Sequence, residues 1–432
     1  MAILKKVIQD IMLSNQEMIL NLVLHPREIV LEPQASHVIV GPRRSGKTYL
    51  LYQFIQDHLS SKENAKRIIF INFEDDRLLE FKSGDFQIIL DAYYELYTER
   101  PIVFLDEIQN IDHWHKFARR LVDTGYQVFI TGSNAKMLSK EMATTLGGRF
   151  LITENFPLSF VEYLTFHDIE VSETTLIGPN RKRVKQLFNE YFKYGGFPEL
   201  LKYSDKRGYL SNLFQKLFYS DIIVRNKIKN DKALHILVKK LGESVNNETS
   251  ATRIKNIIKS IGYPVGTATV LEYIQLLNDS YLLFPVVNYI NKFVARETIK
   301  KYYFIDNGLL SLFIHNQDTK LLENLVYLHL KRTNQSLHYF KRKHEVDFYI
   351  PEKDLLIQVC YDISDIETQK RELLALKKVK DELKAENLLI ISFDEERELS
   401  LDNQIVQVVP VWKYLLFPTP PKYRNTYSEE EY

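Results

Sequence analysis

The stretch HVIVGPRRSGKTYLLYQFI, residues 37–55, decides the fold of this chain. It starts as a buried strand, His37 to Val40, passes through a glycine-bounded loop, and continues as an amphipathic helix. The apolar residues on one side of that helix are Leu50, Leu51, Phe54 and Ile55. The loop fits the pattern G-x-x-x-x-G-K-T, in which backbone N–H groups point at phosphate oxygens. We therefore predict a nucleotide-binding loop between a strand and a helix.

The loop predicts a set of ATP-binding residues and a place for Mg²⁺. Lys47 is expected to reach the β and γ phosphates, and the hydroxyl of Thr48 is expected to bind Mg²⁺. The predicted nucleotide contacts are Gly41, Pro42, Arg43, Arg44, Ser45, Gly46, Lys47 and Thr48.

A second motif, RPIVFLDEIQN at residues 100–110, bears on hydrolysis. An apolar strand runs directly into Asp106 and Glu107. Asp106 is predicted to hold Mg²⁺, and Glu107 is predicted to polarise the attacking water. The alternative is an acidic pair that caps a following helix. Because the phosphate loop is also present, we favour the catalytic interpretation.

Two further candidates follow the next strand, YQVFITGSNAKML at residues 126–138. Ser133 and Asn134 are both candidates to sense the γ phosphate, although Asn134 could equally cap a helix over residues 135–143. Arg149 precedes a fifth strand and is a candidate catalytic residue, in its own site or in that of a neighbouring copy. The alternative for Arg149 is a surface salt bridge. A role in a neighbour's site would require a homo-oligomer.

Strands near residues 37, 67, 101, 126 and 149, with helices between them, predict an α/β fold. Such an alternation builds a parallel sheet with its ligand at the carboxyl ends of the strands. The bulk properties fit a globular chain of several domains, because 432 residues exceed one typical core.

Taken together, GPRRSGKT, VFLDEIQ, FITGSNA, GGRF and PLSFVEYL resemble a family of bacterial and archaeal AAA-like ATPases. A YGGFPEL turn at residues 194–200 lies where that family has one. The resemblance implies a P-loop ATPase core followed by a helical linker or lid, a winged helix and a PD-(D/E)XK nuclease-like domain. We place these units at residues 1–155, 156–230, 231–290 and 291–415, with a disordered tail at 416–432.

The winged-helix segment is poorly suited to reading DNA bases. Its third helix, TATVLEYIQLLNDS, offers only Gln275 and Asn278 for base edges, and it carries Glu272 and Asp279. Three basic residues of the second helix are candidates for phosphate contacts: Arg253, Lys255 and Lys259. The alternative is a protein-contact or hinge element.

In the C-terminal third, KHEVDFYIPEKDLLIQVCYD at residues 343–362 has the outline of a nuclease metal hairpin. By the resemblance, Asp347 and Gln358 stand at metal-binding positions, and Cys360 stands where active members have a lysine. A buried thiol cannot replace an ammonium. We therefore expect a degraded nuclease site, unless a neighbouring cation has taken over. The candidates for that cation are Lys341, Arg342 and Lys343.

Composition limits the remaining choices. A net charge of +1 advertises no polyanion partner, so any nucleic-acid surface has to be a local patch. One cysteine excludes an internal disulfide. Residues 1–18 do not resemble a signal peptide, and no apolar run is long enough to span a membrane, so we expect a cytoplasmic protein without a membrane partner.

The predicted activity is Mg²⁺-dependent ATP hydrolysis. Three purposes stay open: a DNA-linked motor or switch, a nucleotide-controlled protein-interaction switch, and a nuclease gated by ATP. DNA and a protein are both retained as candidate partners, and nuclease activity is disfavoured because of Cys360.

Overall fold

The computed structural model of the chain describes residues 2–59, 61–133, 146–172, 177–333, 336–402 and 404–417. Two of the predictions lie outside these ranges. One is the role of Asn134 with the helix over residues 135–143, and the other is the disorder of residues 418–432.

The N-terminal part is built around a five-stranded parallel sheet in the order β2-β3-β4-β1-β5. Its strands are β1 (Ser36–Val40), β2 (Ile68–Asn72), β3 (Ile102–Asp106), β4 (Gln127–Gly132) and β5 (Phe150–Glu154). Its described helices are α1 (Ala2–Asn21), α2 (Lys47–Leu59), α3 (Lys62–Ala65), α4 (Phe86–Tyr94) and α5 (Trp114–Asp123). The predicted α/β fold is confirmed.

Helices cover both faces of this sheet, which explains why its inner strands β1, β3 and β4 are buried at nearly every position and mostly apolar. The four apolar residues predicted for one side of α2, Leu50, Leu51, Phe54 and Ile55, are all buried. They pack with Ile39, Phe70, Phe104 and Phe129 of the sheet. Helix α1 contacts α4 and β2 on the other face. Continuous apolar strands are typical of a parallel sheet that is buried on both sides.

A helical segment follows the sheet and includes an irregular turn. Its elements are α6 (Phe160–Thr165), α7 (Gly178–Tyr194), a 3₁₀ turn (Pro198–Lys202), α8 (Lys206–Lys216) and a π-helix (Leu217–Val224). Two glycines separate α7 from the 3₁₀ turn. Gly195 has φ +78°, and a Cβ there would lie 2.1 Å from the carboxylate of Asp306. The backbone N–H of Gly196 donates to Asp306 at 2.7 Å. Glycine is therefore required where the turn meets the C-terminal half.

The next elements form a small three-stranded antiparallel sheet with helices. They are α9 (Asp231–Glu243), β6 (Thr249–Ser250), α10 (Ala251–Ser260), α11 (Thr267–Asp279), β7 (Leu283–Val287), α12 (Phe293–Thr298) and β8 (Ile299–Phe304). The strand order is β6-β8-β7, so β8 is central. The predicted domain boundary after residue 290 falls between β7 and β8, which pair with each other.

The C-terminal part holds a six-stranded mixed sheet in the order β13-β14-β12-β11-β10-β9. Its strands are β9 (His338–Lys341), β10 (Glu345–Ile350), β11 (Leu355–Cys360), β12 (Asn387–Ser392), β13 (Arg397–Leu401) and β14 (Gln404–Pro410). The accompanying helices are α13 (Asn307–Ser311), α14 (Asp318–Arg332), α15 (Ile366–Leu383) and α16 (Val411–Leu416). Within the described part of the chain, no helix is long and apolar enough to cross a membrane.

Candidate functional site

The phosphate loop lies at the carboxyl end of β1 and runs into α2. Close contacts explain its glycines. A Cβ on Gly41 would lie 2.0 Å from the backbone oxygen of Asn155, and Gly46 has φ +93°. The amide of Asn155 donates to the backbone oxygen and to the hydroxyl of Ser45, each at 3.0 Å. The loop is therefore braced from the residue that follows β5.

A second brace comes from the segment before β1. The guanidinium of Arg27 donates to the backbone oxygen of Ser45 at 2.9 Å and to that of Phe156 at 2.9 Å. It also pairs with Glu162 at 2.7 Å, and both side chains are almost fully buried. The sequence reasoning missed both Arg27 and Asn155. The only signal for Asn155 was its place directly after a strand of the parallel sheet.

Lys47 is the first residue of α2 and is buried. Its ammonium donates to the backbone oxygens of Gly41 at 3.2 Å and Pro42 at 3.1 Å. The same group lies 3.4 Å from a carboxylate oxygen of Glu107. The loop lysine and the acid at the end of β3 therefore meet, although they are far apart in sequence.

Thr48 and Asp106 also meet. The hydroxyl of Thr48 donates to one carboxylate oxygen of Asp106 at 2.9 Å, and that of Thr131 donates to the other at 2.5 Å. Burial and the negative charge of Glu107 raise the pKa of Asp106 to about 6, although both hydroxyls act in the opposite direction. Thr131, at the end of β4, was not predicted from sequence.

Glu107 has an unusual backbone, with φ 51° and ψ 42° in the left-handed region. Such a conformation costs energy for a residue with a side chain, and it is concentrated at functional sites. The N–H of Glu107 donates to Thr131 at 2.9 Å, and the amide of Gln109 donates to its carboxylate at 2.5 Å. Burial alone would raise the pKa of Glu107. The charge of Lys47 and the hydrogen bond from Gln109 outweigh burial, so the pKa is lowered.

These groups border a cleft of about 300 Å³. Its lining includes loop residues, the two acids after β3, and residues of the helical segment, namely Pro198, Glu199 and Lys216. Arg44 pairs with Glu199 at 2.9 Å. The YGGFPEL turn therefore contributes an acid to the cleft.

Arg43 connects the loop to the π-helix. Its guanidinium pairs with Glu74 and lies 3.6 Å from Asp221. Asp221 is buried, lies 3.3 Å from Arg225, and has a second carboxylate oxygen without a hydrogen-bond partner. Burial raises the pKa of Asp221, and the two arginines oppose this rise. π-Helical segments are rare in proteins, and those that occur are frequently found at functional sites. No motif in the sequence pointed to Asp221.

The two remaining candidates, Ser133 and Arg149, differ in whether they lie near the cleft. Ser133 is buried and accepts a hydrogen bond from Gln109 at 3.3 Å, which links it to Glu107. Arg149 does not join the cleft. It precedes β5 next to Ser36, at the end of the sheet opposite the phosphate loop, and it pairs with Asp123 on the surface. A role for Arg149 in a neighbouring copy stays a prediction.

A second charged cluster lies in the C-terminal half. The ammonium of Lys301, on β8, lies 3.3 Å from Glu323, 3.0 Å from Glu345 and 3.4 Å from Asp347. The hydroxyl of Tyr303 donates to Glu323 at 2.6 Å. The three carboxylates outweigh burial and raise the pKa of Lys301, so the ammonium stays charged. Burial and the charge of Glu323 raise the pKa of Asp347.

The cation in this cluster corrects the expectation from sequence. Of the basic residues at 341–343, Lys341 contacts one of the three acids, the partly exposed Glu345, at 2.6 Å. Arg342 pairs with Glu382, outside the cluster. The buried cation is instead Lys301, which lies far earlier in the chain. Its strand, IKKYYF, belongs to none of the motifs that the sequence analysis identified.

The two other positions named by the resemblance, Gln358 and Cys360, contact partners outside the Lys301 cluster. The amide of Gln358 donates to Glu372 at 2.6 Å, and its oxygen is buried without a partner. Cys360 is buried and donates to the backbone oxygen of Asp362 at 3.2 Å. Burial raises the pKa of the Cys360 thiol to about 12, so the group is neutral. Among the described side chains, no group of three or more His, Cys, Asp or Glu has a metal-binding arrangement.

The helix considered for base reading, α11, has little to offer at its surface. The amide of Gln275 is exposed but donates to Asp279 on the same helix at 2.7 Å. The exposed positions beside it include Leu271 and Glu272.

Comparison with known proteins defines the class. A family model described as an AAA domain matches residues 34–164, and one described as a domain of unknown function (DUF8612) matches residues 185–320. The chain therefore carries an AAA-type ATPase domain, and nucleotide binding and hydrolysis is the activity that this domain supports.

Two relatives extend the match along the chain. The uncharacterized protein MJ1544 of Methanocaldococcus jannaschii is 37% identical over 405 residues, which covers 90% of each chain. An uncharacterized protein of Haemophilus influenzae is 32% identical over 352 residues, covering 79% of this chain and 86% of that protein. This chain belongs to the family of these two proteins.

Solved structures resemble the chain only distantly. The Walker-type ATPase PABY2304 of Pyrococcus abyssi has 12% identity and a TM-score of 0.36, and covers 68% of this chain and 99% of its own. The Aeropyrum pernix ORC1 protein in complex with DNA has 12% identity and a TM-score of 0.34, and covers 68% and 88%. Scores this low carry no argument about function.

Proposed function

We propose that the protein is a Mg²⁺-dependent ATPase whose site is the cleft between the phosphate loop, the end of β3 and the helical segment. The observation that carries this proposal is the convergence of two pairs in that cleft. Thr48 hydrogen-bonds Asp106 at 2.9 Å, and Lys47 lies 3.4 Å from Glu107. Each pair joins a loop residue to an acid that is far away in sequence.

The chemistry of these groups fits ATP and Mg²⁺. A hydroxyl and a carboxylate side by side supply the oxygen ligands that Mg²⁺ prefers. Thr48 and Asp106 would hold this ion, and it would supply positive charge against the charge that develops on the phosphate oxygens. Loop amides and an ammonium at a helix start suit the phosphates themselves.

The chain's own groups then have distinct roles. Lys47 would exchange its two loop carbonyls for phosphate oxygens. Glu107, held by Gln109 and the left-handed backbone, would orient a water molecule and accept its proton. The water oxygen forms a bond to the γ phosphorus while the bond to the bridging β,γ oxygen breaks, which yields ADP and inorganic phosphate.

The test is phosphate release from saturating ATP by the full chain, with Mg²⁺ and with EDTA. We expect turnover only with Mg²⁺. Glu107→Gln should keep ATP bound and reduce kcat by about 10²- to 10⁴-fold. Glu80→Gln, which changes an exposed glutamate of the same sheet domain, is the control. Unchanged turnover in Glu107→Gln would remove Glu107 from the mechanism.

Lys47→Ala tests binding separately. Hydrogen bonds to charged groups contribute about 1.5–3 kcal/mol each, so we expect ATP affinity to fall by roughly 10- to 150-fold. Titration with a fluorescent nucleotide measures this, with the exposed lysine variant Lys66→Ala as control. Equal affinity in both variants would move the nucleotide away from this loop.

We further propose that nucleotide state controls the C-terminal half and its contact with a partner. Three contacts support a mechanical link. Glu199 pairs with Arg44, and Asp221 lies near Arg43, both in the phosphate loop. Gly196, three residues before Glu199, donates to Asp306 of the C-terminal half. A conformational change at the phosphate loop could therefore be transmitted to the C-terminal half through a few direct contacts.

We assign the two distant modules on their element order. The order α9–β6–α10–α11–β7–β8, with β8 central, supports a winged helix. A helix with Glu323, a strand with Asp347 and a strand with Gln358 support a nuclease-like fold. The neutral Cys360 and the engaged α11 favour a protein-interaction switch over DNA reading or cleavage.

ATP turnover measured with single- and double-stranded DNA at low and high salt separates these uses. We expect a rate indifferent to DNA. Stimulation that fades as salt rises would indicate phosphate contacts and make DNA the partner. Mg²⁺-dependent nicking that Asp347→Ala abolishes would instead establish the ATP-gated nuclease.

A further inference from the structure

The Lys301 cluster gathers three carboxylates around one ammonium. Glu323, Glu345 and Asp347 each place an oxygen within 3.4 Å of the nitrogen. The side chain of Lys301 is fully buried, and its nitrogen also lies 5.4 Å from the ring centre of Tyr339. Buried charges are found only when they are paired, so this ammonium compensates part of the negative charge of the acids around it.

The position of Lys301 in the fold keeps the ammonium in place. It lies on β8, the central strand of the three-stranded sheet, and pairs across to Val286 of β7. Two residues further along the strand, Tyr303 donates to the same oxygen of Glu323 that Lys301 contacts. The strand is therefore held by backbone pairing and by a second side chain, and the ammonium has little freedom to withdraw.

The acids come from different elements than the lysine. Glu323 lies on α14, and Glu345 and Asp347 lie on β10 of the six-stranded sheet. Lys301 thus joins the small sheet to the larger one through charge. A divalent cation at the same oxygens would be repelled by the ammonium, because like charges brought together without screening cost several kcal/mol.

We propose that Lys301 replaces the divalent cation of this acidic cluster. It thereby ties the three acids into an internal ion pair between two modules, and its removal uncovers a cation site formed by Glu323, Glu345 and Asp347. This proposal does not rest on ATP hydrolysis. It accounts for a nuclease-like module without metal chemistry, because the position of the metal is filled by the chain itself.

The test is Mn²⁺ binding to the full chain without nucleotide, measured by electron paramagnetic resonance. Wild type and Lys301→Met are compared, with Lys300→Met as the matched control. Lys300 is the neighbouring lysine on β8 and pairs with Glu297 instead of the cluster. All three proteins carry the same phosphate loop, so any binding there cancels in the comparison.

We expect Lys301→Met to gain one Mn²⁺ per chain, at least about 100-fold tighter than any Mn²⁺ binding by wild type. Adding Asp347→Asn to Lys301→Met should abolish the gain, and Lys300→Met should behave as wild type. Mn²⁺ binding by wild type that Asp347→Asn removes would overturn the proposal. So would a folded Lys301→Met that binds no additional Mn²⁺.

Loss of stability in Lys301→Met has its own readout. If the uncompensated charge of the three acids prevents folding, Mn²⁺ should restore folding. The thermal midpoint of unfolding should then rise with Mn²⁺ only in this variant. Failure of Mn²⁺ to raise the midpoint of Lys301→Met above that of Lys301→Met with Asp347→Asn would also overturn the proposal.

Discussion

Lys47 and Lys301 are both buried lysines beside carboxylates, yet their surroundings differ. Lys47 contacts one carboxylate and two backbone oxygens, and it borders a cleft of about 300 Å³. Lys301 contacts three carboxylates and has no exposed surface. The first can exchange its partners for those of a ligand, and the second cannot without leaving the buried carboxylates of Glu323 and Asp347 without their ammonium.

The comparison teaches that a buried lysine next to acids is not by itself a site. What distinguishes the phosphate loop is space and replaceable partners, since backbone oxygens of a loop can be given up to phosphate at little cost. The C-terminal cluster instead holds one ammonium, with no exposed surface of its own, against three carboxylates. Four predictions test this contrast.

The largest effect should come from Asp106→Asn set against Asp347→Asn. Both aspartates are buried near a lysine. If Asp106 holds Mg²⁺ as proposed, removing its carboxylate takes away a metal ligand; metal stabilisation is worth several kcal/mol, so kcat/KM for ATP should fall by about 100-fold or more. Asp347→Asn should leave ATP turnover unchanged. A comparable loss in both variants would mean that the two clusters act as one site.

Stability should respond in the opposite sense. Removing one partner of a buried ion pair costs about 3–5 kcal/mol, so Lys301→Met should lower the free energy of unfolding by that amount. Lys47→Met should cost less, because water in the cleft can solvate Glu107.

Urea unfolding can follow each region with its own tryptophan, Trp114 on α5 or Trp412 on α16. Substitution of one tryptophan by phenylalanine isolates the other. Equal destabilisation by Lys47→Met and Lys301→Met would contradict the distinction between an open and a closed cluster.

His329, in the C-terminal half, should make stability depend on pH. Burial lowers the pKa of His329 to about 4, and its Nε2 has no hydrogen-bond partner. The unfolded chain binds this proton more tightly, so stability is full above about pH 6.5 and falls as the pH drops towards 4. The loss amounts to about 3 kcal/mol.

His329→Phe should remove this dependence while keeping the ring contact with Tyr414, and the exposed variant His315→Gln should retain it. Urea unfolding between pH 4 and pH 7, followed by Trp412, measures the difference. A dependence that persists in His329→Phe would assign it to another group.

The smallest effect concerns Asp221. Its carboxylate lies 3.6 Å from Arg43, and it would compete for that guanidinium with a phosphate bound as proposed. Asp221→Asn should therefore tighten ATP binding by about fivefold, which corresponds to one modest ion pair. Nucleotide titration measures this, with the exposed variant Asp57→Asn as control. Weaker binding in Asp221→Asn would make Asp221 a support of the loop rather than a competitor.

Much of the first domain was predictable because its signals are local. The strand, loop and helix at residues 36–59 follow from apolar runs, two glycines and a helical stripe, and the burial of Leu50 and Phe54 confirms the stripe. Asp106 and Glu107 were recognisable because an apolar strand ends at them. The roles of these acids stay predictions.

Long-range partners were not predictable. Asn155 and Arg27 brace the loop from positions 110 and 18 residues away from Ser45, and neither belongs to a motif. The YGGFPEL turn was recognisable from sequence, but the need for its two glycines was not. Gly195 and Gly196 lie against the carboxylate of Asp306, which is more than 100 residues later in the chain.

The sequence by itself determined that the chain has a phosphate loop on a parallel α/β sheet, because periodicity and loop glycines act over a few residues. Only the tertiary structure decided which lysine forms ion pairs with which acids. Lys341 was the near neighbour, yet Lys301 fills the C-terminal cluster. Burial and charge balance are properties of the packed chain, and they depend on which strands and helices meet, so no local pattern carries them.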